Sequence, residues 1–324
     1  MAMSRAQVEF FFNEGYVIVP DVFAPADLEP LRQEIAARID RKVRSLADEG
    51  KLTNLHAEEP FERRLTRIYR DNPANGEAVM RDLEGSGGGG HTGVEMFNMI
   101  AHPKMLSAVE SLVGPEIVAS SVYRIRPKIP GIGRGIVPWH QDSGYFAPLC
   151  DQHLVLTCWV PLVDATVENG CMQILPRTHR QGVVRHHTGG NAHFLVIKDN
   201  DLPDSPQKAI TAECPRGGVV FMTNMTPHCS TPNNTDVIRW SVDLRYQSAD
   251  VPNNVGVWPE PQVEATPEVQ MACYPPEADF IVQSRRSPER VANYDTYVAR
   301  RMRFDAVENK PWPRRGWQPA TAGA

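Results

Sequence analysis

The stretch VVFMTNMTPHCSTPNNTDVIRWSVDLRY, residues 219–246, holds two apolar runs, VVFM and VIRWSVDLRY, with the turn formers of TPNNTD between them. Short runs of Val, Ile, Phe and Trp bounded by Pro, Asn and Asp read as strand, turn, strand. His228 falls in the connection, and the second strand begins near Val237. Arg239 sits inside that second run, where its neighbours are apolar. A buried guanidinium needs an anionic partner. The only acidic residue on its own side of the strand is Asp243, four positions on.

The same texture extends outward. EIVASSVYRIR, HLVLTCWVPLV, CMQILP, GVVRHH, HFLVI and GVVFM are further short runs, separated by PGIGRG, VENG and PRGG. Many short strands without helices between them argue for an all-β sandwich or barrel. Before residue 116 the pattern is helical. Ser4 can cap a short helix through about Asn13, stopped by Gly15. Leu28, Leu31, Ile35, Ile39, Val43 and Leu46 step by three and four along one face, ended by Gly50. RQEIAARIDRKVR gives that helix a solvated side. A third helix is predicted over Pro103–Val113, with Gly114 as its terminator. Beyond residue 250 the chain is rich in Pro and Trp, with one helical stretch near SPERVANYDTYVARRMRFDA. GSGGGG, residues 85–90, reads as a mobile loop, and no GK[ST] follows to make it a phosphate cradle.

Composition narrows the function classes. A chain of 324 residues can bury a substantial core. With 41% hydrophobic and 23% charged residues it is ordinary for a soluble globular protein. The net charge is −5 and there is no basic stripe with interleaved aromatics, so no nucleic-acid partner is expected. The same lack argues mildly against a large polyanionic substrate. No apolar run reaches the roughly 18 residues of a membrane span, and the start lacks the pattern of a signal peptide. Six cysteines without a CxxC pair do not suggest a zinc knuckle and fit a reducing cytoplasm.

VPWHQDSGYF, residues 137–146, carries His140 and Asp142 two apart. On an extended segment both side chains point the same way, and Gln141 points the other. His228 is the histidine whose context best supplies a third ligand. Two histidines and one carboxylate with positions left open form the facial triad of non-heme Fe(II) oxygenases. Arg239 would then grip the far carboxylate of a dicarboxylic cosubstrate. Ser241, on the same strand face, and Ser230, two after His228, can add hydroxyl donors.

At these residues the chain resembles the phytanoyl-CoA dioxygenase family of Fe(II)/2-oxoglutarate oxygenases. The matching pieces are WHQDSGYF, LTCWVPLVDATVENGCMQILPRTH, TPHCS and RWSVDLRYQ, within a similarity over about residues 7–250. The resemblance implies a mainly β fold with flanking helices and a double-stranded β-helix (jelly-roll, cupin-like) core. It places the metal ligands on His140, Asp142 and His228, the 2-oxoglutarate arginine on Arg239 and a supporting serine on Ser230. It also places Trp159 and Thr157 on a strand lining the cosubstrate pocket. It implies Fe(II), 2-oxoglutarate and O2, with release of succinate and CO2. Related halogenases replace the carboxylate ligand by Gly or Ala, so Asp142 favours oxygen insertion. The chain is thus read as one catalytic domain. Residues 1–115 are a helical preface and loops, 116–250 the core, and 251–324 a Pro/Trp-rich extension.

Other readings stand beside this one. Arg245, on the same alternation as Arg239, competes for the cosubstrate or could touch substrate. Ser143, Tyr145 and Phe146, just past the metal residues, are the first place to look for substrate contacts, although Trp139, Tyr145 and Phe146 also suit barrel packing. His186 and His187 read as surface or pocket-rim residues, and Cys229 as a small core residue. The Gly-rich loop and the C-terminal tail are candidate lids. The same centre could desaturate, cyclise or epimerise a natural-product intermediate instead of hydroxylating a small molecule. A different class altogether is a metabolite-binding β-barrel without turnover; a closed zinc site would want a fourth protein ligand, and none is apparent.

Overall fold

The strand that contains Arg239 is the hub of the architecture. The computed structural model describes residues 2–84, 92–146, 148–188, 194–251, 279–308, 315 and 317–319. Within them the strands are β1 (Tyr16–Val19), β2 (Ile117–Ala119), β3 (Arg124–Lys128), β4 (Leu156–Pro161), β5 (Met172–Ile174), β6 (Ile210–Ala212), β7 (Val219–Thr223), β8 (His228–Ser230), β9 (Arg239–Ser248) and β10 (Phe280–Gln283). The helices are α1 (Arg5–Glu14), α2 (Glu29–Asp48), α3 (Arg64–Asp71), α4 (Pro73–Glu84), α5 (Val94–Ile100), α6 (Pro103–Val113) and α7 (Tyr294–Glu308). A large sheet runs β1-β7-β4-β9-β2-β10, with β3 also paired to β9, and a small sheet runs β6-β5-β8. Every pairing is antiparallel. The core is a jelly roll of the double-stranded β-helix kind.

Alternation sorts the strands' side chains into two layers. On β9, Trp240, Val242, Leu244 and Tyr246 join the helix-side core, as do Leu156, Cys158 and Val160 of β4 and Val219 and Phe221 of β7. α2 seals that side with Leu31, Ile35, Ile39, Val43 and Leu46, all buried. The opposite faces meet the small sheet, where Trp159, Val220 and Met222 pack with Met172, Ile174 and Ala212. The chemistry-bearing residues Arg239, Ser241, Asp243 and Arg245 belong to this inner face.

The helical start agrees with its signals. Ser4 accepts from Gln7 N in a capping box, Gly15 closes α1 at φ 85°, and Gly114 follows α6 at φ 87°. Elsewhere the structure departs from expectation. YVIV, inside the expected helical preface, is a strand that pairs with β7. α3, α4 and α5 fill a region read as loops. GVVRHH and HFLVI form no strands; His187 and Val196 share a single bridge. Pro127 lies within β3, which among the described residues pairs only with β9, and a strand edge is where a ladder tolerates proline. α7 begins within the SPERVANYDTYVARRMRFDA stretch and runs two residues past it. GSGGGG and most of the tail lie outside the described residues.

Candidate active site

Two backbone hydrogen bonds build the centre. His140 N donates to His228 O at 3.0 Å and His228 N to His140 O at 2.9 Å. This narrow antiparallel pair sets the two imidazoles 4.2 Å apart, centroid to centroid. Asp142 follows at the first position of a 3-10 turn, Asp142–Tyr145. Gln141 points away, its amide donating to Gly182 O and Met225 O while its carbonyl accepts from Val184 N. One ligand atom from each of His140, Asp142 and His228 lies within 4.8 Å of the others, and all three residues are buried.

The donor set suits a metal. Nδ1 of His140 lies 2.9 Å from Pro138 O, and Nδ1 of His228 lies 2.9 Å from Thr226 O. A carbonyl only accepts, so each Nδ1 carries the proton and a neutral ring keeps its lone pair on Nε2. Burial first, and then His228 beside it, push the His140 imidazole down to about 3, so that ring is neutral at ordinary pH. Burial alone would raise the Asp142 carboxyl. Arg245, His228, His140 and the Thr157 hydroxyl outweigh it and hold the carboxyl well below the usual range.

The two carboxylate oxygens of Asp142 are in different settings. Oδ2 accepts from Thr157 Oγ1 at 2.5 Å and faces Arg245 Nη2 at 3.1 Å. Oδ1 faces His140 Nε2 at 3.8 Å. One oxygen is thus tied to the protein, and the other is presented beside the histidine lone pairs.

The triad lines a cavity of about 250 Å³ that also reaches Arg239, Trp159, Thr157, Ser230 and Arg245. Arg239 is 4% exposed, donates to Ser241 Oγ, and lies over the Trp159 ring at 5.0 Å. Its Nε has no hydrogen-bond partner among the described residues. Asp243, the acid expected beside it, pairs instead with Arg126 Nε at 2.8 Å. Among the described residues no carboxylate lies within ion-pair distance of Arg239. Burial first lowers its guanidinium to about 10, which still leaves it charged at neutral pH. A buried, charged fork without an acidic partner fits the far carboxylate of a dicarboxylate. Of the two competing arginines, Arg245 is taken up by Asp142.

The proposed substrate contacts divide. Ser143 is fully buried with its hydroxyl on Asn224 Nδ2 at 2.8 Å, and Phe146 packs with Cys150 and Val155. Neither lines the cavity. Tyr145 is partly exposed, edge-on to His140 at 5.9 Å, with its hydroxyl accepting from Leu195 N. His186 and His187 are buried rather than on the rim. His186 Nε2 accepts from Gln141 N at 3.0 Å, bracing the residue between the two metal-facing side chains. A Cβ on Gly144 would stand 2.5 Å from that nitrogen. Gly144→Ala should therefore destabilise the fold by roughly 1–3 kcal/mol, read as a lower denaturant midpoint.

Sequence reasoning missed several residues here. Arg315 donates to Phe146 O and pairs with Asp151, and Trp317 Nε1 donates to Gly144 O at 2.8 Å, so the tail clasps the Asp142 turn from outside. Lys128 was also missed, and with Arg124 and Arg126 it lines the cavity from β3. The cavity thus gathers five basic side chains although the sequence shows no basic cluster. Three of them alternate in RIRPK, the same signal that singled out Arg239.

A family model described as phytanoyl-CoA dioxygenase matches residues 11–241. The peroxisomal phytanoyl-CoA dioxygenase of Rattus norvegicus is 27% identical over 255 residues, 76% of this chain and 69% of that one. Phytanoyl-CoA dioxygenase domain-containing protein 1 of Danio rerio is 25% identical over 300 residues, 82% of this chain and 97% of that one. Among solved structures, the non-heme monooxygenase ThoJ superposes with a TM-score of 0.55 at 18% identity, covering 93% of this chain and 98% of its own. The epimerase SnoN, solved with Fe3+, alpha ketoglutarate and nogalamycin RO, gives 0.52 at 20% identity over 86% and 98%. These superpositions speak to the fold.

Proposed function

The chain belongs to the phytanoyl-CoA dioxygenase family of Fe(II)- and 2-oxoglutarate-dependent oxygenases, and we propose that its iron is held by His140, Asp142 and His228 and that it hydroxylates a small-molecule substrate. One observation carries this reading. Two imidazole lone pairs and one carboxylate oxygen converge at one part of a cavity, and a buried arginine with no acidic partner among the described residues waits in another. When bound, iron, 2-oxoglutarate and O2 supply the oxidising chemistry, with succinate and CO2 as co-products.

The residues' own tasks follow from their contacts. Pro138 and Thr226 carbonyls fix the ring tautomers. Thr157 and Arg245 hold Oδ2 of Asp142, which would leave Oδ1 to face a bound iron. Arg239, steadied by Ser241 and Trp159, orients the cosubstrate through its far carboxylate. Burial of the centre keeps bulk water from the reacting group. Arg245→Met should loosen the Asp142 carboxylate and weaken iron binding by roughly 10- to 100-fold, the usual cost of losing an outer partner. Iron titration checks this, and unchanged affinity would remove Arg245 from the centre.

We read residues 1–324 as one catalytic domain, and the five free, buried cysteines among the described residues as fitting the cytoplasm. Fractionation of cells would test the location. The substrate is testable by measuring succinate release across a metabolite library, with product mass distinguishing a gained oxygen from two lost hydrogens. A set of hits that only lose hydrogen would replace hydroxylation with desaturation or cyclisation. Absence of substrate-dependent succinate from every member would count against the oxygenase reading.

A further inference from the structure

Lys128 ends β3 and is 1% exposed. In the antiparallel register it stands opposite Arg239, so two basic side chains lie side by side in one part of the cavity. Its stem runs between two glycines. A Cβ on Gly170 would meet Lys128 Cδ at 2.8 Å, and one on Gly135 would meet Cγ at 3.2 Å. Its ammonium donates to Gly170 O at 3.1 Å, Thr231 O at 2.5 Å and Ser230 Oγ at 2.8 Å.

That last contact decides what Ser230 can do. Ser230 Oγ also accepts from Val137 N at 3.0 Å. A hydroxyl has two lone pairs and one proton. With both lone pairs engaged, the O–H must donate, and its acceptor within the protein, Gly135 O, is 3.4 Å away. That is long for an O–H···O bond. A carboxylate arriving at Arg239 would be the better acceptor.

We propose that Lys128 is a positioning residue for the cosubstrate: in the ammonium form that a bound carboxylate favours, it fills a lone pair of Ser230 and turns that hydroxyl into an obligate donor to the carboxylate gripped by Arg239. The inference rests on the reading of Arg239 as the 2-oxoglutarate anchor. A second consequence is electrostatic. Among the described residues no carboxylate pairs with Lys128. The groups around it are Arg239 on β9, Arg126 on its own strand face, and the thiols of Cys171 and Cys229. Burial raises those thiols to about 11 and about 12, so they bring no charge at neutral pH. Burial first, then Arg239, pushes the Lys128 ammonium down to about 6. An adjacent carboxylate raises it again, so binding takes up a proton and apparent affinity weakens as pH rises above ~6.

The test is 2-oxoglutarate binding to the Fe(II)-loaded full chain under anaerobic conditions, from ~pH 6 to ~9. Wild type is compared with Lys128→Met, Ser230→Ala and the double variant. Lys128→Met should weaken binding roughly tenfold, with iron affinity unchanged and the pH dependence flattened. In the Ser230→Ala background it should add little. Equal affinity of Lys128→Met and wild type, or full additivity of the two changes, overturns the inference while leaving the Arg239 reading intact. Should Lys128→Met not fold, the wild-type profile still decides: affinity independent of pH across that range contradicts it. Failure of wild type to bind 2-oxoglutarate at all sinks the underlying reading, and this inference with it.

Discussion

Asp142→Ala is expected to abolish substrate-driven succinate formation and to release iron. The loss should exceed the roughly 10- to 100-fold that removal of an outer partner costs, because a ligand itself is gone. Two effects combine at this position. The metal loses its one anionic donor, and Arg245 loses the carboxylate it faces at 3.1 Å in a buried setting. Asp142→Asn separates them: it keeps the shape and one acceptor oxygen but removes the charge. Iron content after gel filtration and succinate assays check both variants. Near-normal iron retention by Asp142→Ala would move the metal elsewhere.

Arg239→Met should weaken 2-oxoglutarate binding by roughly 100-fold, the size of two charge-assisted hydrogen bonds at about 1.5 kcal/mol each. Met retains much of the stem that packs on Trp159, so the loss reports the fork rather than the packing. The KM for 2-oxoglutarate should rise far more than kcat falls, provided binding precedes chemistry. Iron affinity should stay unchanged, because Arg239 does not touch the triad's ligand atoms. An unaltered KM would hand the anchor role to another of the cavity's basic side chains.

How far these residues were readable depends on whether local pattern or long-range packing places them. β9 was legible because its apolar and polar residues alternate cleanly, which exposed Arg239 as a charge in a buried run. His140 and Asp142 were legible through spacing, and Gln141 indeed points the other way. Alternation failed for His186 and His187, because their segment is irregular and carries only one bridge. Lys128 was hidden by Pro127 before it and by IPGIGRG after it, which together look like a loop. The strand YVIV was hidden by its brevity, because only pairing with β7 makes it a strand. α3 has too few apolar residues to announce itself, with Leu65 and Ile68 as its buried aliphatic anchors. Trp317 reaches Gly144 from 173 residues away, a contact with no local signature.

The most direct test of the centre is anaerobic addition of Fe(II) and then 2-oxoglutarate, followed by visible absorption. Wild type should develop the weak charge-transfer band of the iron–2-oxoglutarate chelate, saturating at one equivalent, and His140→Ala and Asp142→Ala should not. No band in wild type, together with no succinate from any substrate, would contradict the account. A full band in the two variants would show that iron binds somewhere other than this triad.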